Sequence, residues 1–381
     1  MDMIPQIKNK IKVAFLGGAM NSAVGNAHYS ALLMDNIYEL VSGCFSLNND
    51  NNHETADKYG VSPGRVYPNL DELISGEKDL IDAIVILTPT DQHFAQVIQC
   101  IEQNIPVICE KALGTNSEEV TQIKSALERN NGFLSVIYNY LGYPMIKEIR
   151  RLISKKVLGK INFIQIEMPQ EGFIRINHDG TPIVPQEWRL KDYEVPTVSL
   201  DLGVHLHMFI KYLTGETPTA TVSKSSSYGN FSSVIDNVNC LIEYTNNVSC
   251  NMWFSKIAIG NRNGLKLRIY GEKGSVEWVQ ESPEIIHLSD SKGRRCLIDR
   301  GNEDVEISNH PRYSRFKVGH PAGFLEAFAN YYQDIAITLQ HYKTHREIKF
   351  DECYGIDEAY EGLRLLEAIQ KSSISRSWEK V

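Results

Sequence analysis

The sequence predicts an α/β protein in two parts: a parallel sheet flanked by helices, then a domain built on a large, mainly antiparallel sheet. Three observations lead there. Short apolar runs alternate with amphipathic segments through the first part of the chain, the βαβα rhythm of a parallel sheet with helices on both faces. Within it "DAIVILTPT" (Asp82–Thr90) is continuous and β-branched, as a strand buried on both faces should be. From about Thr219 to Leu297 the apolar residues recur with period two, the pattern of strands with one buried face.

Taken in order, "IKVAFLGG" (Ile11–Gly18) is the first strand and the segment from Gly25, "GNAHYSALLMDN", the first helix. "YELVSGCFS" (Tyr38–Ser46) is the second strand and Asp82–Thr90 the next. "DQHFAQVIQCIEQN" follows as a helix capped by Thr90 or Asp91. "IPVICEK" is a strand, "SEEVTQIKSALERN" a helix and "GFLSVIYNY" a strand. The rhythm changes near Asn139, so residues 1–139 form one domain and 140–381 the other. In the second, "MIKEIRRLISKKVLG" is a helix and "INFIQIEMPQ" a strand. "NVNCLIEYTNNVSCNMWF" is a hairpin turning near Asn246–Asn247, and "LKLRIYGEKGSVEWVQ" another turning near Glu272–Gly274. Helices such as Asp201–Leu213 and Tyr354–Lys371 cover one face of this sheet.

The totals narrow the function. A chain of 381 residues can build two cores. Its net charge is −8 with no basic tract, which argues against a nucleic-acid partner. The start, "MDMIPQIKNKIKVAFLGG", is not a signal peptide, and no stretch reaches the roughly 20 apolar residues of a membrane span. Seven scattered cysteines without a CxxC pair indicate reduced thiols in a cytoplasmic protein, with neither a disulfide framework nor a metal site.

The first strand–helix turn, "GGAMNSAVGNAH", carries Gly17, Gly18 and Gly25. A nucleotide pyrophosphate needs close backbone approach and free N–H groups at a helix N-terminus, hence glycines. This turn is longer than GxGxxG; a glycine turn without a ligand is the alternative.

"VICEKALG", "NYLGYPM", "DLGVHLHMF" and "GHPAGFLEAFANYYQDIA" (Gly319–Ala336) stand in the order found in the glucose-fructose oxidoreductase/inositol dehydrogenase family, Gfo/Idh/MocA, which the chain resembles over nearly its whole length. The resemblance implies a Rossmann dinucleotide-binding domain followed by an α/β domain with an open sheet, and a nicotinamide cofactor, NAD or NADP. The family's Glu-Lys-Pro falls on Glu110, Lys111 and Ala112, and its Asp-x-x-x-His on Asp201 and His205. The lead-in "EVPTVSLDLG" differs from the family's Gly-rich one. The resemblance makes Lys111, Asp201 and His205 the catalytic candidates. It makes Gly17, Gly18, Ala19, Gly25, Ser46, Thr88, Pro89, His93, Glu110 and Lys111 the cofactor-binding ones. Arg189, in a Trp-Arg pair that recurs in relatives, is a substrate candidate or a surface arginine. Tyr140 and Tyr143 line the cleft or pack at a helix start, and His320, before Pro321, opens a helix and points into the pocket or simply begins the helix.

The implied chemistry is oxidation of a secondary alcohol of a sugar, polyol or sugar derivative. The cofactor takes the hydride; the protein supplies a base and charge. Histidine suits the proton step. On a helix Asp201 and His205 share a face, so the carboxylate can orient the imidazole, while Lys111 can stabilise alkoxide character. His207 lies about 200° of helix rotation from His205 and is structural; "HLH" is not a metal-chelating pair. A glycosidase branch of the family and a non-catalytic dinucleotide sensor are the alternatives.

Two further expectations concern cofactor and assembly. The second strand ends at Ser46 without the acid that reads an NAD ribose, and the nearest downstream cation is Lys58, so NAD and NADP are weakly discriminated. Val238, Cys240, Ile242 and Tyr244 alternate with Asn239, Leu241 and Glu243, leaving a second sheet face to be covered by another subunit in a homodimer or homotetramer.

Overall fold

The computed structural model describes residues 9–22, 24–349 and 352–381, so the first eight residues of the N-terminal reading lie outside it. Its strands are β1 Ile11–Gly17, β2 Tyr38–Cys44, β3 Ala83–Leu87, β4 Val107–Glu110, β5 Leu134–Ile137, β6 Ile161–Pro169, β7 Pro218–Ser226, β8 Asn237–Tyr244, β9 Val248–Ser255, β10 Lys266–Gly271, β11 Gly274–Val279, β12 Ile285–Asp290, β13 Arg295–Asp299 and β14 Glu379–Lys380. Its helices are α1 Gly25–Met34, α2 Asn49–Tyr59, α3 Leu70–Glu77, α4 Thr90–Glu102, α5 Ser117–Asn130, α6 Pro144–Ser154, α7 Val204–Thr214, α8 Phe324–His345 and α9 Ile356–Ser375.

The chain divides into two compact units. The first holds a parallel sheet in the order β2-β1-β3-β4-β5. Every residue of β3 is buried, as its unbroken apolar run requires. The strand order reverses between β1 and β3, which sets a ligand crevice at their carboxyl ends. Between β2 and β3 stand α2 and α3, which have no counterpart in the sequence prediction. Helix α2 reads "NDNNHETADKY" and buries only Asn52, Thr55, Ala56 and Tyr59, too few apolar residues to show a helical period.

On sequence grounds the whole of 140–381 forms the second domain. Instead, the described residues of Phe324–Tyr360 belong to the first unit. Their hydrogen bonds explain why: Tyr331 Oη donates to the Val136 carbonyl at 2.9 Å, Tyr342 Oη to that of Asn131 at 2.7 Å, and Asn330 Nδ2 to that of Gly142 at 2.8 Å.

The second unit is built on a nine-stranded sheet in the order β13-β12-β11-β10-β6-β9-β8-β7-β14. Only β6 and β9 pair in parallel; every other neighbour is antiparallel. The β8–β9 hairpin turns through the three residues Thr245–Asn247, with Asn246 and Asn247 at positive φ (55° and 61°). Val238, Cys240, Ile242 and Tyr244 face the core while Asn239, Leu241 and Glu243 are exposed, so the period-two reading gives the correct face. On the core side a one-turn π-helix, Ser199–Gly203, runs into α7. It packs tightly: a Cβ on Gly203 would lie 2.9 Å from the Leu366 side chain and 3.1 Å from the Phe254 ring. Among the described residues no helix is long and apolar enough to cross a membrane.

Candidate active site

In the first unit the candidate residues collect at the carboxyl ends of the strands. Gly17 and Gly18 leave β1 at positive φ, 81° and 75°. Gly25 opens α1 so close to them that a Cβ there would meet the Gly18 carbonyl oxygen at 2.2 Å. Ser22 Oγ accepts the Gly25 N–H at 2.8 Å and knits the turn, and Ala19 is buried beneath it. Helix α1 has no acidic residue in its first turn, so no carboxylate there opposes a pyrophosphate at its N-terminus.

At the end of β2 the polar side chains are committed locally. Ser46 Oγ accepts the Asn48 N–H at 3.1 Å, and Asn48 Oδ1 caps α2 by accepting the Asn51 N–H at 2.9 Å. Buried Asn52, which carries no role in the sequence reading, shapes the corner: its Oδ1 accepts the N–H groups of Phe45 and Ser46, and its Nδ2 donates to the Tyr67 carbonyl.

The next loop differs from expectation in its cap. Pro89 is the N-cap of α4, with no side-chain cap bond, rather than Thr90 or Asp91. Thr88 Oγ1 donates to Gln96 Oε1 at 2.6 Å. His93 is fully buried, with Nδ1 2.7 Å from the Ala112 carbonyl oxygen and Nε2 2.8 Å from that of Thr88. Burial lowers its pKa below the usual 6.5, against the pull of those two carbonyls and of Glu110. Two acceptors call for two N–H groups while burial favours the neutral ring with one; burial prevails, because the desolvation of a charged ring is the larger effect. His93 thus pins the Thr88 loop to the Ala112 loop, and its nitrogens face the protein rather than a cofactor.

Glu110 ends β4 and Lys111 follows it. The Lys111 N–H approaches Glu110 Oε2 at 3.2 Å, and the Lys111–Ala112 peptide is cis. Glu110 Oε1 lies 3.0 Å from Nε2 of His28, a wholly buried residue of α1. That approach is off the ring N–H axis, so it is an electrostatic contact rather than a well-formed hydrogen bond. His28 Nδ1 is 2.8 Å from Tyr332 Oη, whose phenol is pushed up by burial and then by Glu110. Neither His28 nor Tyr332 is a candidate on sequence grounds; a polar ring in the first turn of the glycine-loop helix was the available signal. Tyr140 is buried, its ring 5.8 Å from that of Phe324.

In the second unit Asp201 sits in the π turn and His205 one turn later, both buried. Asp201 Oδ2 accepts from Lys256 Nζ at 2.8 Å and from Arg189 Nη1. Lys256 Nζ also reaches Gln170 Oε1 at 2.7 Å. Lys256 and Gln170 escape the sequence reading because they directly follow β9 and β6 and come together at Asp201 only through the fold. His207 is fully buried, with Nε2 3.3 Å from Glu361 Oε1. Burial alone would raise the Glu361 pKa, but His207 and Lys211 together bring it below the usual carboxylate value, as a structural pairing would. Tyr143 is buried against Trp278 and accepts from Gln280 Nε2 at 2.9 Å. His320 is exposed beside Phe316 and does not open a helix: α8 begins at Phe324, so Pro321 is not its first residue.

The sequence matches an oxidoreductase family described as having an NAD-binding Rossmann fold over residues 11–138, and the GFO/IDH/MocA C-terminal domain over residues 146–277. The chain belongs to the Gfo/Idh/MocA family. Of its relatives, an uncharacterized oxidoreductase of Bacillus subtilis, YfiI, is 27% identical over 379 residues, covering 96% of this chain and 95% of that one. The glucose-6-phosphate 3-dehydrogenase of the same organism is 23% identical, covering 73% and 77%. An Azotobacter vinelandii inositol dehydrogenase homolog, crystallised with NADH and myo-inositol, is 26% identical with a TM-score of 0.88 over 98% of both chains. As a Gfo/Idh/MocA protein the chain is an oxidoreductase, and its first unit is a nicotinamide-dinucleotide domain.

Proposed function

We propose that the protein is a dehydrogenase of a sugar, polyol or sugar derivative, acting on a secondary alcohol with NAD or NADP. The observation that carries this reading is the buried His205 one turn from Asp201, whose carboxylate is fixed by Lys256 and Arg189. A bound nicotinamide supplies the hydride acceptor. The chain's own residues handle the proton: His205 takes it from the alcohol oxygen, Asp201 is a fixed negative group on the same helical face, and Lys111 stabilises negative charge on that oxygen. Gly17, Gly18, Ala19 and Gly25 form the pyrophosphate cradle, with Ser46 at the ribose corner and Thr88, Pro89 and Glu110 lining the nicotinamide end. His93 supports the last group from behind. A relative crystallised with myo-inositol supports the polyol class.

The test is a screen of sugars and polyols, with NAD and NADP, followed by absorbance of the reduced nicotinamide. Net reduction by at least one compound is expected; glycoside cleavage without net reduction, or binding without turnover, contradicts the reading. We further propose a homodimer or homotetramer through the outer face of the large sheet, where Phe163, Leu241, Tyr270 and Leu297 are more than a third exposed. A monomeric mass by light scattering at micromolar concentration contradicts it.

A further inference from the structure

Two cationic side chains meet at Asp201. Asp201 Oδ2 is shared by two cations, Lys256 and Arg189. Lys256 is buried, and its ammonium also holds Gln170 Oε1 at 2.7 Å. Arg189 is different: its side chain is 22% exposed. Its guanidinium is gripped from two sides, by Asp201 and by the face of Trp188, whose ring centre is 4.3 Å from the guanidinium carbon. Among the described residues its one side-chain hydrogen bond goes to Asp201. A guanidinium has five N–H donors in a rigid fork, so most of this fork is left over for a ligand.

The charges count the same way. Two positive charges, those of Lys256 and Arg189, converge on one carboxylate oxygen, in a chain whose total is −8. The neighbouring carboxylate, Glu171, also carries two guanidinium groups, Arg262 at 2.9 Å and Arg175 at 3.7 Å, although both arginines are exposed enough for water to screen them. A neutral polyol presents hydroxyls that both donate and accept, and is best met by a balanced set of partners. A fork of spare N–H groups beside an already saturated carboxylate oxygen is best met by a group that only accepts and carries negative charge.

We propose that Arg189, held by Asp201 and Trp188 and backed by Lys256, is an anion subsite, and that the substrate is a sugar or polyol bearing a carboxylate or a phosphate. This rests on the reading above that Asp201 and His205 belong to the substrate site. The geometry commits to an acceptor-only anion and leaves its source, carboxylate or phosphate, to the experiment.

The test is calorimetric titration of the NADH-saturated protein with two matched pairs: D-gluconate against D-glucitol, and D-glucose 6-phosphate against D-glucose. Hydrogen bonds to charged groups support a preference of about tenfold to a hundredfold for the anion of at least one pair. The pair that responds identifies the anion. The preference should shrink as salt is raised. It should fall to near parity in Arg189→Gln, and fall in Lys256→Gln, which removes one of the two positive charges on Asp201 but keeps the fork. Parity within about threefold in the wild type, no binding of any of the four, or a preference untouched in Arg189→Gln overturns the proposal. If a variant fails to fold, the wild-type ratios and their salt dependence still decide. Should only neutral sugars reduce the nucleotide, the dehydrogenase reading stands and the anion subsite falls. Should the anion bind while nothing reduces the nucleotide, the subsite stands and the dehydrogenase reading falls.

Discussion

Gly25→Ala should weaken dinucleotide binding through a single methyl group. The added Cβ would stand 2.2 Å from the Gly18 carbonyl oxygen, 2.6 Å from its carbon and 2.7 Å from the Ala19 carbonyl oxygen. All three are backbone atoms, so no rotamer change relieves them, and the closest is over an ångström short of ordinary contact. Helix α1 and the glycine turn must separate. Overpacking of this kind costs about 1–3 kcal/mol. Binding requires the turn and the helix N-terminus together, so the cost falls on the complex and raises the NADH Kd roughly 5- to 150-fold. Fluorescence titration with NADH measures it, with a melting curve alongside to catch any part of the cost that appears in the free protein. Gly64→Ala is the control, because a Cβ there meets nothing within 4 Å and the residue is not at positive φ. If Gly25→Ala matches Gly64→Ala in both Kd and Tm, the close-approach reasoning is wrong.

Three other outcomes follow from the site. His205→Ala and Lys111→Ala should each lower kcat by about two to four orders of magnitude while leaving the NADH Kd near wild type; near-normal kcat in His205→Ala on a true substrate removes it as the base. NADH and NADPH should bind within about tenfold of each other, since Ser46 and Asn48 are tied into local turns and no acid ends β2; a hundredfold gap by titration contradicts this, and Ser46→Asp should select against NADPH. Burial depresses the folded-state pKa of His93 below 6.5, so its stabilising contribution is complete above that pH and is lost as pH falls from there through the folded pKa. Melting curves across that window should show a steeper acid loss in the wild type than in His93→Gln; equal slopes exclude His93 as the cause.

Much of this architecture is written in local pattern. The unbroken apolar run of β3 and the alternation along β8 reveal burial on two faces and on one, because side-chain direction repeats with the backbone. The Asn246–Asn247 turn is visible because so few residue types tolerate positive φ. What local pattern does not carry is partnership across the fold. Helix α2 is polar and escapes a search for apolar periodicity. Helix α8 has buried residues around much of its circumference, so its sequence does not say which unit it joins. The Lys256–Asp201 and His28–Glu110 contacts join residues far apart in the chain, and only the strand ends bring them together. His320 misleads because a proline beside it resembles a helix start, while the helix begins three residues after that proline.

The central claim is that hydrogen passes directly from a secondary alcohol carbon to nicotinamide. Any compound that reduces the nucleotide in the screen can be prepared with deuterium on its carbinol carbons, and the reduced nucleotide analysed by mass spectrometry. The account predicts one deuterium in each molecule of reduced nucleotide, with none acquired from heavy water when the substrate is unlabelled. Reduced nucleotide without the substrate's deuterium contradicts it.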